Sequence, residues 1–186
     1  MVIKGSKKFI RTLGLAATAV LFLGNFAALA PTASAAKCPA GKSDGKTIGT
    51  IKVGSLTVPV KSVTYPLSGE LNPPISPLNA GVSARHNPLN AKVGSSIIVW
   101  HVNYKGCVGK LNPIVKSKVG AKFSVVDEEK GKQSYKIASK TTVPLGDYKA
   151  DWFRLDGPRQ LVFVTCGGKV VNGHYTRNQI LIAVPA

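Results

Sequence analysis

The chain has 186 residues, with 25 Lys and Arg against 8 Asp and Glu for a formal net charge of +17, 44% hydrophobic residues and only 3 cysteines. This length and apolar content exclude acidic disorder and suit one domain of ordinary size plus a tail. Three cysteines are too few for a disulfide scaffold, and no CxxC or His-rich spacing marks a zinc site. In chain order, Lys4, Lys7, Lys8 and Arg11 come first, followed by an apolar stretch from Leu13 to about Ala30, the pattern of a membrane-targeting segment. The small residues Ala33-Ser34-Ala35 before Ala36 suit a cleaved secretory signal, whereas the 19 residues from Thr12 to Ala30 suit a retained anchor helix. Residues 1–36 are thus expected to be a signal peptide or membrane anchor, 37–46 a linker and 47–186 the folded domain. Either way the domain lies outside the cytoplasm, because the basic flank stays inside.

Removing residues 1–35 takes away four basic residues and no acidic one, leaving +13. Such a charge draws a protein to an anionic surface, such as a Gram-positive wall or lipid headgroups, or simply keeps it soluble. The lysines are spread singly, without the aromatic-interleaved basic runs of nucleic-acid modules, so no nucleic-acid partner is expected.

From about Thr47 the pattern is all-β. Ile51, Val53, Leu56, Val58, Val60 and Val63 alternate with polar or small residues around a Gly54-Ser55 turn. Further strands are predicted at Ser96 to His101, Lys122 to Asp127, Gln133 to Ser139, Gln160 to Thr165 and Ile180 to Val184. Between them, Gly69 to Asn90 is broken by Pro73, Pro74, Pro77 and Pro88 and reads as a long connection with at most one helical turn. A second helical turn is expected within Asp147 to Leu155. Many short strands and no long amphipathic helix predict a single closed or nearly closed barrel, or a sandwich.

Chemistry concentrates at three strand ends. Cys166 closes the run Leu161-Val162-Phe163-Val164-Thr165 and precedes Gly167-Gly168, which permits unusual backbone angles and leaves room beside the sulfur. Arg177 opens the last strand after a ten-residue loop, 167–176, and in a hairpin its guanidinium would return near the thiol. His101 ends the apolar strand Ser96-Ile97-Ile98-Val99-Trp100. Together they would supply a nucleophile, a proton carrier and an oxyanion stabiliser. Each has a plainer reading: a buried free thiol, a structural histidine, a strand-edge arginine. His86 and His174 fall in connections and are expected to be exposed.

The ordered set resembles the sortases. The matching pieces are Val164-Thr165-Cys166-Gly167-Gly168, then Gly173-His174-Tyr175-Thr176-Arg177-Asn178 leading into Ile180-Leu181-Ile182-Ala183. Upstream lie Ser96 to Asn103, Ile51-Lys52-Val53 and Val58-Pro59-Val60. The Thr-Cys-Gly-Gly and Gly-x-Tyr-x-x-Asn forms look most like class F sortases of actinobacteria, and the match covers roughly Thr47 to Ala183. The resemblance implies a sortase β-barrel acting as a cysteine transpeptidase at the cell surface. Cys166 would attack a Leu-Pro-x-Thr-Gly-type sorting signal and form a thioester, and His101 would be general acid and base. Arg177 would bind the oxyanion or the peptide. The partners implied are sorting-signal peptides of exported proteins and an accepting amine on a peptidoglycan cross-bridge or its lipid-linked precursor. No metal or organic cofactor is implied.

Three features depart from the family pattern, one of them Val162-Phe163 where many relatives carry Thr-Leu in the cysteine motif. Trp100 stands where relatives carry Gly before the catalytic His, and Arg177 lies one residue nearer the Asn than their Arg. One step along a strand reverses the face, so either the loop absorbs the offset or Arg177 points elsewhere. If the resemblance makes Cys166 the one catalytic thiol of an exported chain, Cys38 and Cys107 could pair. L,D-transpeptidases need a His-Gly-Cys type motif and papain-like hydrolases place Cys before His, and neither pattern is present. The remaining alternative is a non-catalytic, basic, exported β module that binds wall polymer or a partner protein.

Overall fold

The structure, a computed structural model, describes residues 38–41, 44–64 and 71–186. The expected signal or anchor at residues 1–36 lies outside them, and no helix among the described residues is long and apolar enough to cross a membrane.

Ten strands are present: β1 (Thr47–Val53), β2 (Leu56–Val63), β3 (Ala80–Ser83), β4 (Ser95–Trp100), β5 (Asn103–Tyr104), β6 (Cys107–Val108), β7 (Lys122–Asp127), β8 (Gly131–Pro144), β9 (Gln160–Val171) and β10 (His174–Pro185). Eight of them close a barrel in the order β1-β2-β3-β4-β9-β10-β8-β7, and β5 and β6 form a separate small hairpin. All neighbours are antiparallel except β2 with β3 and β4 with β9. One helical turn, α1 (Pro113–Lys116), and a 3-10 turn at Ala150–Phe153 complete the fold.

Local chemistry accounts for the turns. Gly54 takes the positive φ of a two-residue hairpin between β1 and β2. Asp127 ends β7 and accepts hydrogen bonds at one carboxylate oxygen from the N–H groups of Glu129 (2.9 Å) and Lys130 (3.1 Å), folding the chain into β8. Asn172-Gly173, both at positive φ, make the tight turn from β9 to β10.

The side chains divide into two cores. One fills the barrel, with Ile98, Trp100, Phe123, Tyr135, Leu161, Phe163 and Leu181 among its members. The other lies outside the β4-β9-β10 wall, where Ile97, Val99, Val162, Val164 and Ile180 pack under Trp152, Tyr148, Phe153 and Leu71. A wall covered on both sides needs apolar residues at successive positions rather than alternate ones. This is why Ile97 to Trp100, Leu161 to Val164 and Ile180 to Ala183 read as continuous runs.

Four expectations are corrected. The Pro-rich connection contains β3, four buried residues that complete the barrel between β2 and β4. Strand β8 runs on to Pro144, because β10 supplies hydrogen-bond partners as far as its Lys-Thr-Thr-Val-Pro end. The stretch 167–176 is no loop: β9 and β10 continue through it as an extended ribbon, so Arg177 lies within β10 and Cys166 within β9. His86 is half-buried, its Nδ1 2.9 Å from Ser83 Oγ and its ring 5.5 Å from that of Phe153.

Phe163 meets Trp100 and Phe123 edge-on inside the barrel, at centroid distances of 6.2 and 5.6 Å. Phe163→Ala should lower stability by about 3–5 kcal/mol in urea unfolding, the cost of a large aromatic cavity; a loss under about 1 kcal/mol would show that this core does not hold the barrel.

Candidate active site

The site grows from the parallel pairing of β4 with β9. Their register runs from Ser95 opposite Gln160 through Val99 opposite Val164 to Trp100 opposite Thr165. His101 and Cys166 each follow by one residue, so they stand at the same step on neighbouring chains. Alternation then fixes the face: Val99 and Val164 belong to the outer core, and residues two positions on share their side. The Thr165 hydroxyl donates to the Trp100 carbonyl at 2.7 Å and ties the two chains together beside the candidate pair.

His101 leaves the strand into a loop held by several bonds. Trp100 Nε1 donates to Asn112 Oδ1 (3.0 Å), and Asn112 Nδ2 donates to the Val102 carbonyl (2.7 Å). Gly109 is required here, because a Cβ would collide with the His101 carbonyl oxygen. The imidazole stacks on Tyr104 with centroids 4.6 Å apart and planes 12° apart. Trp100 points into the barrel, away from the face that carries Cys166.

Past Cys166, β9 carries one extra residue: Gly168 and Lys169 together face Thr176, and Gly168 takes positive φ. Gly167 is constrained differently, since a Cβ would lie 2.5 Å from Cγ of Gln179. Cys166 is half-buried and borders a hollow of about 60 Å³, lined by Leu71, Pro73, Val99, Tyr148, Val164 and Asn178. Asn178 pairs directly with Cys166 and donates from Nδ2 to the Tyr148 hydroxyl at 2.7 Å.

The register thus leaves His101 and Cys166 one residue past the same step of β4 and β9, while Arg177 pairs off the step of Cys166. Arg177 pairs with Gly167, one step from the Cys166–Asn178 pair, and so belongs to the opposite face. The β-bulge lies beyond both pairs and does not rotate Arg177 back. On the face of Cys166, β10 presents Asn178 and Thr176. Asn178 and Tyr148 were missed in the sequence, although the register of a hairpin turning at Asn172-Gly173 would have pointed to Asn178.

Burial governs both candidate groups. It pushes the Cys166 thiol up from its ordinary value. It pulls the His101 imidazole down, with the Asp44 carboxylate opposing in part. Both shifts favour the neutral forms, thiol and imidazole. Cys38 and Cys107 form a disulfide across 69 positions, as expected, leaving Cys166 as the free cysteine among the described residues. No group of three or more His, Cys, Asp or Glu side chains among these residues could hold a metal ion.

Solved structures share this fold. A lid mutant of sortase C1 from Streptococcus agalactiae superposes with a TM-score of 0.58 at 13% identity, over 75% of this chain and 69% of that one. Sortase C from Clostridium perfringens gives 0.54 at 18% identity, over 77% and 71%. Sortase A from Corynebacterium diphtheriae gives 0.59 at 12% identity, over 76% of this chain and 61% of that one. No family model matches the sequence. No curated protein matches it either. The architecture is the sortase β-barrel.

Iodoacetamide without reductant should add one label per chain, at Cys166, by intact mass. The rate should still be rising above pH 9.0, because the thiol is shifted upward from that value. Two or more labels would break the disulfide assignment, and a plateau below pH 9.0 would show a thiol activated rather than suppressed by its surroundings.

Proposed function

We propose that the chain is an extracytoplasmic cysteine transpeptidase of the sortase type. One observation carries this reading: in a sortase-like barrel, a free thiol within β9 and an imidazole at the end of β4 follow the same step of two adjacent parallel strands. Cys166 Sγ attacks the threonine carbonyl of a Leu-Pro-x-Thr-Gly-type peptide while its proton passes to His101. The C–N bond to glycine then breaks, and the imidazolium protonates the departing amine. An incoming amine, from a peptidoglycan cross-bridge or its lipid-linked precursor, attacks the thioester and releases the thiol. The Thr165 to Gly168 and Gly173 to Asn178 motifs support a class F assignment.

The +13 charge of the exported part favours residence at an anionic wall or membrane surface. Lys122 directly opposite Lys136 on the β7-β8 pair is a like-charge contact that an anionic polymer would relieve. The same charge, with Arg177 off the thiol's face, favours the alternative of a wall-binding module without catalysis.

The deciding experiment mixes the protein with a Leu-Pro-x-Thr-Gly peptide and hydroxylamine and follows product and acyl adduct by mass. Cys166→Ala should abolish turnover, and His101→Gln should lower it by about 100-fold or more. Arg177→Ala should cost less than about tenfold, whereas an oxyanion donor is worth about 100-fold or more. No turnover from folded protein with an alkylatable Cys166, over a panel of sorting motifs, would favour the binding module. A loss of about 100-fold on Arg177→Ala would show that its side chain reaches the reacting carbonyl after all.

A further inference from the structure

Ahead of β1, the chain meets the Pro-rich connection at one carboxylate. Asp44 is 7% exposed. Its oxygens accept from the N–H groups of Ile75 (2.6 Å) and Ser76 (3.1 Å) and from Asn79 Nδ2 (2.9 Å). Removing a carboxylate from water is costly unless its lone pairs are matched, and three donors match this one. They come from the chain that continues directly from Leu71 and Pro73, the wall of the hollow at Cys166.

The same N-terminal strap is fixed at Cys38 by the disulfide to Cys107 at the start of β6, six residues after His101. The loop is closed on itself by Gly109 N–H to the Val102 carbonyl (2.8 Å) and onto the connection by Lys110 N–H to the Pro77 carbonyl (2.8 Å). Strap, connection and His101 loop thus form a closed ring of links: Cys38 to Cys107, Lys110 to Pro77, and Ser76 to Asp44. Asp44 is also the carboxylate that favours the charged form of His101 against burial. Among the described residues, Tyr104 stacks on that imidazole and Lys105 lies 5.4 Å from the Tyr104 centroid, while Cys166 stands at the matching step of β9.

We infer that Asp44 is a positioning residue for His101. It fastens the strap, which the disulfide joins to the loop that carries the imidazole, onto the connection that walls the thiol's hollow, and it offers a negative charge to the imidazolium that forms when the thiol gives up its proton. The consequence for turnover rests on the transpeptidase reading; the consequence for the imidazole does not.

The test is ring-proton NMR of the full chain through pH, with the His101 signal assigned by its loss in His101→Gln. Asp44→Asn removes the charge but keeps the side-chain shape, so the His101 midpoint should move to lower pH. Those of His86 and His174 should stay in place, and Asp151→Asn should move none. Turnover by Asp44→Asn should fall about tenfold or more in kcat, as expected for a displaced acid-base group, with the acid limb of its profile moved to lower pH. An unmoved His101 midpoint in a folded Asp44→Asn protein overturns the inference. If that variant does not fold, Cys38→Ser takes its place: it frees the strap's far end, and should lower the same midpoint and kcat. Unchanged values there also overturn it. A wild-type chain that titrates as described but cleaves no peptide would remove the transpeptidase reading and leave the hold of Asp44 on His101 standing.

Discussion

The parallel pairing of β4 with β9 is the constraint on which the site depends. Six consecutive residue pairs set its register, and both ends are tied by side chains. At one end Gln160 Nε2 donates to Ser95 Oγ at 2.8 Å, and at the other the Thr165 hydroxyl donates to the Trp100 carbonyl. Arg159 lies buried just before β9 and donates to the carbonyls of Leu89 (3.0 Å) and Gly94 (3.3 Å), fixing where the strand begins. Between these ties the side chains of both strands are buried on both faces, each apolar one contributing about 1.5–3 kcal/mol by its removal from water. A slip of one residue would exchange the two cores and turn one candidate group away from the other. The stability of the barrel and the alignment of His101 with Cys166 are thus the same set of contacts.

That burial has a chemical cost. Packing precise enough to hold thiol and imidazole on one face also withdraws them from water, which disfavours thiolate and imidazolium alike. A neutral pair is a poor nucleophile at rest. It is also protected from indiscriminate alkylation and oxidation, since the thiolate is the reactive form. On the proposed transpeptidase reading, the proton would pass within the pair as substrate arrives, and a nearby negative charge would lower the cost of the imidazolium. Asp44 bonds to the connection rather than to β4 or β9, so in the proposed role it would supply such a charge without disturbing their register.

The residues most legible in the sequence are those whose chemistry is local. Alternation around Gly54-Ser55 marks the first hairpin, the apolar runs mark the doubly covered wall, and Cys166 and His101 stand out at the ends of two such runs. Compartment and count only allow the pairing of Cys38 with Cys107, and the structure supplies it. What the sequence hides depends on partners far along the chain. Strand β3 is a four-residue segment between prolines, visible only because β2 and β4 flank it. The polar end of β8 becomes strand because β10 reaches it, and Asp44 gains meaning only from residues 31 to 35 positions later. The Asn172-Gly173 turn is the exception: its residue types announce a two-residue hairpin, and following it would have replaced the expected loop with an extended ribbon.

That ribbon decides how the displaced arginine should be understood. Face is set by register, and register between β9 and β10 is continuous from Ala183 opposite Leu161 to Arg177 opposite Gly167. The extra residue of the β-bulge comes only after this, at Gly168 and Lys169, where it adjusts the ribbon tip and leaves the site untouched. A one-residue offset in sequence is therefore preserved as a change of face. Thr176 and Asn178 occupy the side toward Cys166, and neither carries charge. On the proposed transpeptidase reading, oxyanion stabilisation beside Cys166 would fall to neutral donors such as backbone N–H groups. Such neutral donors are effective only when they are fixed in place beforehand. The hydrogen bond from Asn178 to Tyr148 fixes that side chain, and the two-sided packing of β9 fixes the backbone beside it.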